Sequence, residues 1–192
     1  MMKKGKIFIL SGPSGSGKTT LYRQLLKSRK LKGKIVKSVS VTTRPQRREE
    51  VHGRDYFFVS RSMFLHKKRS GHFLESQKVF DNYYGTPKAS VARLLKEGKH
   101  TLLCIDVKGA RVVCRKFPKA ITIFIKTKTF HELKKRLLKR GSEDKKRLFL
   151  RLQTAKKELR EAKNYKYIVI NDQIRKALQR LEAIILSEIR DN

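Results

Sequence analysis

Eight residues near the amino terminus have the types and spacing to bind a polyphosphate. They are Gly12, Pro13, Ser14, Gly15, Ser16, Gly17, Lys18 and Thr19, and they fit the phosphate-loop pattern G-x-x-x-x-G-K-[ST]. Glycines at the observed spacing let the backbone curl so that successive N–H groups point inward. Lys18 can reach the β- and γ-phosphates, and the Thr19 hydroxyl can ligate Mg²⁺. The pattern therefore predicts that the chain binds a nucleoside triphosphate.

The segments on either side of this loop must position it. Residues 6–10 are an apolar run that predicts a buried strand, and residues 19–27 have the periodicity of a helix. The amino terminus of that helix adds partial positive charge behind the loop. A chance match to a glycine-rich turn is the alternative, and the strand–loop–helix context argues against it.

The rest of the chain alternates between predicted strands and helices. The other strands are residues 38–41, 101–105, 120–125 and 167–170, and the other helices are residues 62–69, 87–97, 129–139, 146–163 and 174–189. Strands separated by crossover helices imply an α/β fold with a parallel sheet and helices on both faces. Thr86 is predicted to cap helix 87–97, with Pro87 as its first residue and Gly98 ending it.

Residues 44–85 interrupt this alternation and predict an inserted lobe. The segment begins polar and rich in turn residues, and aromatic residues follow in short runs. Stacking on a nucleotide base is one role for these aromatics. For Phe57, Phe58 and Phe73, packing in the core of a small lobe is the preferred interpretation.

The charge is unusual: 49 Lys and Arg stand against 16 Asp and Glu, a net charge of +33. Such a chain attracts polyanions, and a nucleic-acid-binding protein is one interpretation. No nucleic-acid-binding motif accompanies the charge, so we interpret it as solvated helix faces that steer phosphorylated substrates, with incidental polyanion binding at low salt. Cys104 and Cys114 form no disulfide or metal-ligand pattern, and no apolar run approaches the ~20 residues of a membrane span. A cytoplasmic location is predicted, without a signal peptide.

Further motifs, in chain order, resemble those of guanylate kinases. They are residues 40–44 (SVTTR), Arg47, Glu50, Gly53, and residues 55–59 (DYFFV), 73–75 (FLE), 82–86 (NYYGT), 105–110 (IDVKGA), 136–142 (RLLKRGS), 151–152 (RL) and 169–172 (VIND). The resemblance extends from residue 5 to about residue 189. It implies a P-loop nucleoside monophosphate kinase fold, a parallel core sheet flanked by helices. The single domain, residues 1–192, would comprise a core of residues 1–39 and 87–192, a GMP-binding lobe of about residues 40–86 and a lid of about residues 140–147.

The resemblance implies the transferase reaction ATP + GMP ⇌ ADP + GDP of purine metabolism, with Mg²⁺ accompanying ATP. The GMP phosphate would be held by Arg44, Arg47, Tyr56 and Tyr84. The guanine would be read by Glu75 and Asp106, with Ser40 and Thr86 as further contacts. A carboxylate accepts hydrogen bonds from guanine N1–H and N2–H₂, whereas adenine N1 is an acceptor and leaves the carboxylate unsatisfied.

The same resemblance assigns the donor side. ATP would be bound by the phosphate loop, Thr20, Asn171 and Asp172, the last two close to the adenine. Lys18, Arg140 and Arg151 would be catalytic, because phosphoryl transfer requires positioning and neutralisation of the charge on the moving group. Closure of the lid would exclude water.

The sequence departs from the family pattern at several positions. Glu49 replaces a customary glycine, and it is expected to be strained if that position has a positive φ. Cys104 and Lys108 also differ from the usual residues. Two alternative functions are a non-catalytic guanylate-kinase-like interaction module and a related P-loop kinase of another small phosphate. A third is a nucleic-acid-binding protein with vestigial kinase motifs.

Overall fold

The computed structural model describes residues 4–139 and 145–190. The strands are β1 (Ile7–Ser11), β2 (Ile35–Lys37), β3 (Val41–Thr42), β4 (Phe57–Phe58), β5 (Phe73–Val79), β6 (Asn82–Pro87), β7 (His100–Cys104), β8 (Ile121–Lys126) and β9 (Tyr167–Ile170). The helices are α1 (Lys18–Lys27), α2 (Arg61–Arg69), α3 (Lys88–Lys96), α4 (Val107–Lys116), α5 (Phe130–Lys139), α6 (Lys145–Arg160) and α7 (Ile174–Arg190). A short 3-10 helix, Glu161–Asn164, follows α6.

Two sheets carry these strands. The five-stranded sheet has the order β2-β7-β1-β8-β9, and its pairs β2–β7, β1–β8 and β8–β9 are parallel. The four-stranded sheet has the order β4-β3-β6-β5, with antiparallel pairing of β6 to both β3 and β5. The prediction of an α/β fold with a parallel core sheet is confirmed.

The described residues form two compact units. The first unit is drawn from residues 4–7, 34–103 and 108–120, and the second unit from residues 8–33, 104–107, 121–139 and 145–190. The predicted GMP-binding lobe, residues 40–86, falls wholly within the first unit. The exact limits of that lobe and of the lid stay predictions, and residues 140–144 of the lid lie outside the described residues.

The core of the second unit forms where apolar strands and helix faces coincide. All five residues of β1 are buried, as expected for a strand covered on both faces. Leu133 and Leu137 of α5 pack with Ala155 of α6, and this cluster also contacts Leu148 and Leu152. These apolar positions recur at helical spacing, and the remaining faces of α5 and α6 carry lysines and arginines together with some exposed apolar side chains.

The core of the first unit is built around an aromatic stack. Phe64 of α2 is fully buried, with its ring centroid 4.6 Å from that of Phe73 and 5.4 Å from that of Tyr83. Phe57, by contrast, is 39% exposed at the edge strand β4, so the prediction that it packs in the core is wrong. Neighbouring side chains of a strand point to opposite faces, and Phe58 is the more buried of the pair.

Three local predictions differ from the structure. Predicted strand 38–41 is instead a crossing between sheets: the Ser38 N–H still bonds to β7, whereas the Ser40 carbonyl already accepts from Phe57 of β4. Helix α3 begins at Lys88 with Pro87 as its N-cap residue, and Thr86 belongs to β6, where its hydroxyl has another partner. Helix α4 was not predicted, and it contains Gly109, a residue that is unfavourable inside a helix.

Candidate active site

The phosphate loop lies between β1, which ends at Ser11, and α1, which begins at Lys18. Gly17 is the N-cap residue of α1 and has φ 90°, a conformation that favours glycine. No side chain caps this helix and its first turn contains no acidic residue, all residues of α1 being described. The amino-terminal N–H groups and their partial positive charge are therefore available to an anion.

Lys18 is held against the loop that precedes it. Its Nζ donates hydrogen bonds to the Gly12 carbonyl and, at 3.0 Å, to the Pro13 carbonyl. The ammonium group therefore lies against the curled backbone of the loop and does not extend into solvent. Thr19 and Thr20 follow in the first turn of α1 and are exposed.

The donor set at this loop fits a magnesium ion that arrives with a nucleotide. Among the described residues, no group of three His, Cys, Asp or Glu side chains could hold a metal ion. Mg²⁺ binds hard oxygen ligands and usually combines one or two protein oxygens with substrate phosphates and water. The exposed hydroxyl of Thr19, at the start of α1, is such an oxygen.

Asn171 and Asp172 follow β9, and their environments differ. Asn171 is 4% exposed, and its Nδ2 donates to the Ser16 carbonyl of the phosphate loop at 2.8 Å. Asp172 is exposed, and its Oδ1 accepts from the Gln173 N–H, which lowers the pKa of that carboxyl. The predicted contact of both residues with adenine stays a prediction.

In the first unit, residues 44–50 form what we call the arginine loop. Nη2 of Arg44 donates to both carboxylate oxygens of Glu50, at 2.7 and 2.8 Å, and the Arg47 N–H donates to Glu50 Oε2 at 3.0 Å. Glu50 is buried, whereas the Arg47 side chain is exposed. Within the described residues only Phe80 is a non-glycine residue with a positive φ, so the strain considered for Glu49 is absent.

Aromatic rings surround the Arg44 guanidinium. Its central carbon lies 5.6 Å from the Tyr56 ring centroid and 5.8 Å from that of Phe58, and Tyr56 meets Tyr84 edge to face at 6.0 Å. Burial lowers the pKa of Arg44, but the hydrogen bond to Glu50 and the electrostatic interactions with Tyr84 and Glu50 outweigh it and raise the pKa. Arg44, Tyr56 and Tyr84, three of the four residues predicted to bind the GMP phosphate, thus form one cluster.

The predicted base-reading residues of the first unit also meet. Thr86 Oγ1 donates to Glu75 Oε1 at 2.6 Å, and both residues are buried. The register of β5 and β6 shifts between Phe73 and Glu75, and the Leu74 carbonyl at this irregularity accepts from Lys116 Nζ at 2.7 Å. Lys116 therefore supports the backbone that carries Glu75.

For the other predicted site residues, the structure gives a position in the chain and a degree of burial. Ser40 is buried in the first unit just before β3. Asp106 is half-buried between β7 and α4, and Arg151 is half-buried on α6. Arg140 lies outside the described residues.

Sequence reasoning assigned no role to Glu50, Lys116 or Arg136, which the structure connects to predicted site residues. The spacing of Glu50 from Arg44 and Arg47 could have indicated that it interacts with them. The bonds of Lys116 and Arg136 join positions 42 and 35 residues apart. Arg136 begins the motif at residues 136–142, but no local pattern indicates either bond.

The parallel sheet, the phosphate loop and the two-sheet organisation are those of a P-loop nucleoside monophosphate kinase. A family model described as guanylate kinase matches residues 4–188. A guanylate kinase of Clostridium tetani is 40% identical over 187 residues, covering 97% of this chain and 88% of its own length. One from Nostoc sp. is 42% identical over 181 residues, covering 94% and 89%. The crystal structure of guanylate kinase from Anaplasma phagocytophilum matches with a TM-score of 0.80 and 33% identity over 97% of this chain and 87% of that one.

The chain belongs to the guanylate kinase family. It is accordingly a transferase that uses ATP, an ATP-dependent nucleoside monophosphate kinase. These matches support guanylate kinase function over the alternatives of a non-catalytic module or a kinase of another small phosphate. No helix among the described residues is long and apolar enough to span a bilayer.

Proposed function

We propose that this guanylate kinase binds Mg-ATP at the phosphate loop and GMP at the arginine loop and the Glu75–Thr86 pair. The choice of GMP as the phosphoryl acceptor rests on one observation: the Glu75 carboxylate is buried and accepts a hydrogen bond from the Thr86 hydroxyl at 2.6 Å. A carboxylate offers about four acceptor positions, so Glu75 can bind Thr86 and a guanine together. Adenine would place an acceptor against this buried carboxylate, which is unfavourable.

On the acceptor side, we assign the GMP phosphate to Arg44, Arg47, Tyr56 and Tyr84. The Arg44 guanidinium is planar and can fork onto two phosphate oxygens, as it already binds two carboxylate oxygens of Glu50. Arg47 is exposed and supplies a second cation. The two tyrosine hydroxyls can donate to the remaining oxygens. Ser40 and Asp106 are assigned to the guanine with Glu75 and Thr86.

On the donor side, Lys18 holds the β- and γ-phosphates and Thr19 would ligate Mg²⁺. When bound, the ion would neutralise charge on the phosphates. Arg151, together with Arg140, is assigned to the transferred phosphoryl group, whose negative charge must be balanced during transfer. The acceptor needs no dedicated base, because a phosphate monoester is mostly a dianion at neutral pH and has no proton to lose.

The location of the protein and its binding of polyanions stay predictions. The free thiols of Cys104 and Cys114 favour a reducing compartment, which supports a cytoplasmic location. The net charge of +33 supports incidental binding of polyanions that weakens steeply with salt, without sequence specificity.

The test is a coupled assay of ADP release with Mg-ATP and each of GMP, dGMP, AMP, CMP and UMP. We expect rapid turnover with GMP, slower turnover with dGMP and little with the others. Glu75→Gln exchanges an acceptor for a donor, and we expect it to lower kcat/KM for GMP about 100-fold. Glu182→Gln on α7 makes the same chemical change outside both loops and serves as the control. Equal rates with AMP and GMP would overturn the assignment of Glu75.

A further inference from the structure

Asn171 connects the end of β9 to the phosphate loop within the second unit. Its backbone N–H donates to the Lys126 carbonyl at 2.7 Å, which extends the β8–β9 pairing by one residue. Its Nδ2 donates to the Ser16 carbonyl at 2.8 Å, and the bond is buried. A buried amide that loses its partner is costly, so this bond restrains both groups.

The restrained carbonyl belongs to the peptide between Ser16 and Gly17. Because a trans peptide is planar, the Ser16 carbonyl and the Gly17 N–H point in opposite directions. Gly17 has φ 90°, and glycine moves between positive and negative φ at little cost. Without a partner for the Ser16 carbonyl, this peptide could turn over and reverse the direction of the Gly17 N–H.

Arg136 of α5 holds Asn171 from a second direction. Its Nη2 donates to the Asn171 carbonyl at 2.7 Å. A Cβ atom at Gly17 would lie 2.1 Å from Asn171 Nδ2 and 3.8 Å from Arg136 Nη1. The loop backbone therefore packs directly against the asparagine amide, with no room for a side chain at position 17.

We propose that Asn171 is a positioning residue that locks the Ser16–Gly17 peptide, so that the Gly17 N–H faces the bound triphosphate. This inference rests on the proposed function, since it assumes that the loop binds ATP. It gives the Asn171 amide a role that the adenine contact implied by the family resemblance does not include. The amide acts through the loop backbone and need not touch the nucleotide.

The first test is Asn171→Asp, which keeps the size of the side chain but sets a carboxylate oxygen against the Ser16 carbonyl. We expect kcat/KM for ATP to fall about 10- to 100-fold, as for one lost buried hydrogen bond, while KM for GMP stays unchanged. Asn164→Asp is the matched control, because Asn164 is exposed and bonds only locally to Glu161 among the bonds described. Unchanged kinetics for ATP, or an equal rise in both KM values, would overturn the proposal.

The second test needs no variant and so does not depend on how a mutant folds. Labelling serine with ¹³C at the carbonyl and glycine with ¹⁵N selects the Ser–Gly pairs, whose amides are those of Gly12, Gly15, Gly17 and Gly71. We expect the Gly17 amide proton of the wild-type protein to shift downfield when Mg²⁺ and a non-hydrolysable ATP analogue are added. Gly71, which follows α2 in the first unit, is the internal reference.

The outcomes separate the two proposals. An active kinase whose Gly17 amide does not respond to the analogue would refute the role of Asn171 and leave the proposed function intact. A protein that shows the Gly17 shift but does not phosphorylate GMP would refute the proposed function and leave the loop assignment standing. In Asn171→Asp we expect the Gly17 shift to be lost.

Discussion

The phosphate loop and the arginine loop are both suited to phosphate, but they are built differently. The phosphate loop is shaped by its backbone: Gly17 has a positive φ, and the Ser16 carbonyl is held by a buried amide. The arginine loop is shaped by side chains, because one buried carboxylate, Glu50, binds the Arg44 guanidinium and the Arg47 N–H. The geometry of the phosphate loop is therefore set by its backbone, whereas Arg44 of the arginine loop can exchange the Glu50 carboxylate for another anion.

This difference suits the two ligands that we assign to the loops. A triphosphate carries oxygens along an extended chain, and successive N–H groups can follow it at fixed positions. A monophosphate is a compact dianion, which a charged fork binds strongly. An arriving phosphate can take over the Arg44 bonds that Glu50 holds beforehand, so Glu50 orients the guanidinium until the ligand arrives.

The largest effect is expected at the donor loop, from Lys18→Ala. Its ammonium group bonds to the loop carbonyls, and the other residues of the loop, at positions 12–17 and 19, are uncharged. We expect kcat to fall by about 10³-fold or more, with little change in the thermal unfolding midpoint. Lys27→Ala, at the exposed end of the same helix, should leave turnover unchanged. A Lys18→Ala enzyme that retains turnover would refute the assigned role.

Comparing Gly17→Ala with Gly33→Ala tests whether the backbone conformation at Gly17 shapes the phosphate loop for ATP. Both glycines have positive φ, 90° and 76°, but a Cβ at Gly17 meets Asn171 whereas a Cβ at Gly33 meets nothing within 4 Å. We expect backbone strain to lower the free energy of unfolding by about 1 kcal/mol in each variant, and the collision with Asn171 to lower it further in Gly17→Ala. Only Gly17→Ala should also raise KM for ATP, by about 10-fold or more. Equal ATP kinetics in the two variants would show that backbone strain alone matters there.

The side-chain construction is tested by Glu50→Gln, with the exposed neighbour Glu49→Gln as control. The amide keeps one acceptor oxygen but loses the second oxygen and the negative charge, so the Arg44 guanidinium is held less firmly before GMP binds. We expect KM for GMP to rise about 5- to 20-fold while KM for ATP stays constant. This effect is smaller than that of Lys18→Ala because GMP itself can order Arg44. A rise in KM for ATP instead would contradict the assignment of the two loops to different nucleotides.

How far the sequence predicts the site depends on the distance along the chain between interacting residues. The phosphate loop is contiguous, so its glycines, Lys18 and Thr19 identify it directly. Strand β9 was predicted at its observed limits because a short apolar run ends at a polar residue. Phe57 and the Thr86–Pro87 cap were wrong, since sheet pairing, which is not local, decided both.

The sequence by itself determined the chemistry that is available: a phosphate loop, a set of arginines and tyrosines, and two carboxylates in the order of one kinase family. Tertiary structure decided how these groups are oriented. Asn171 and Ser16 are 155 residues apart, and Lys116 bonds a carbonyl 42 residues before it. Such contacts depend on which strands become neighbours in a sheet, and that choice follows from burying apolar surface across the whole chain. The phosphate loop was therefore recognisable from eight residues, whereas the amide that holds it was not.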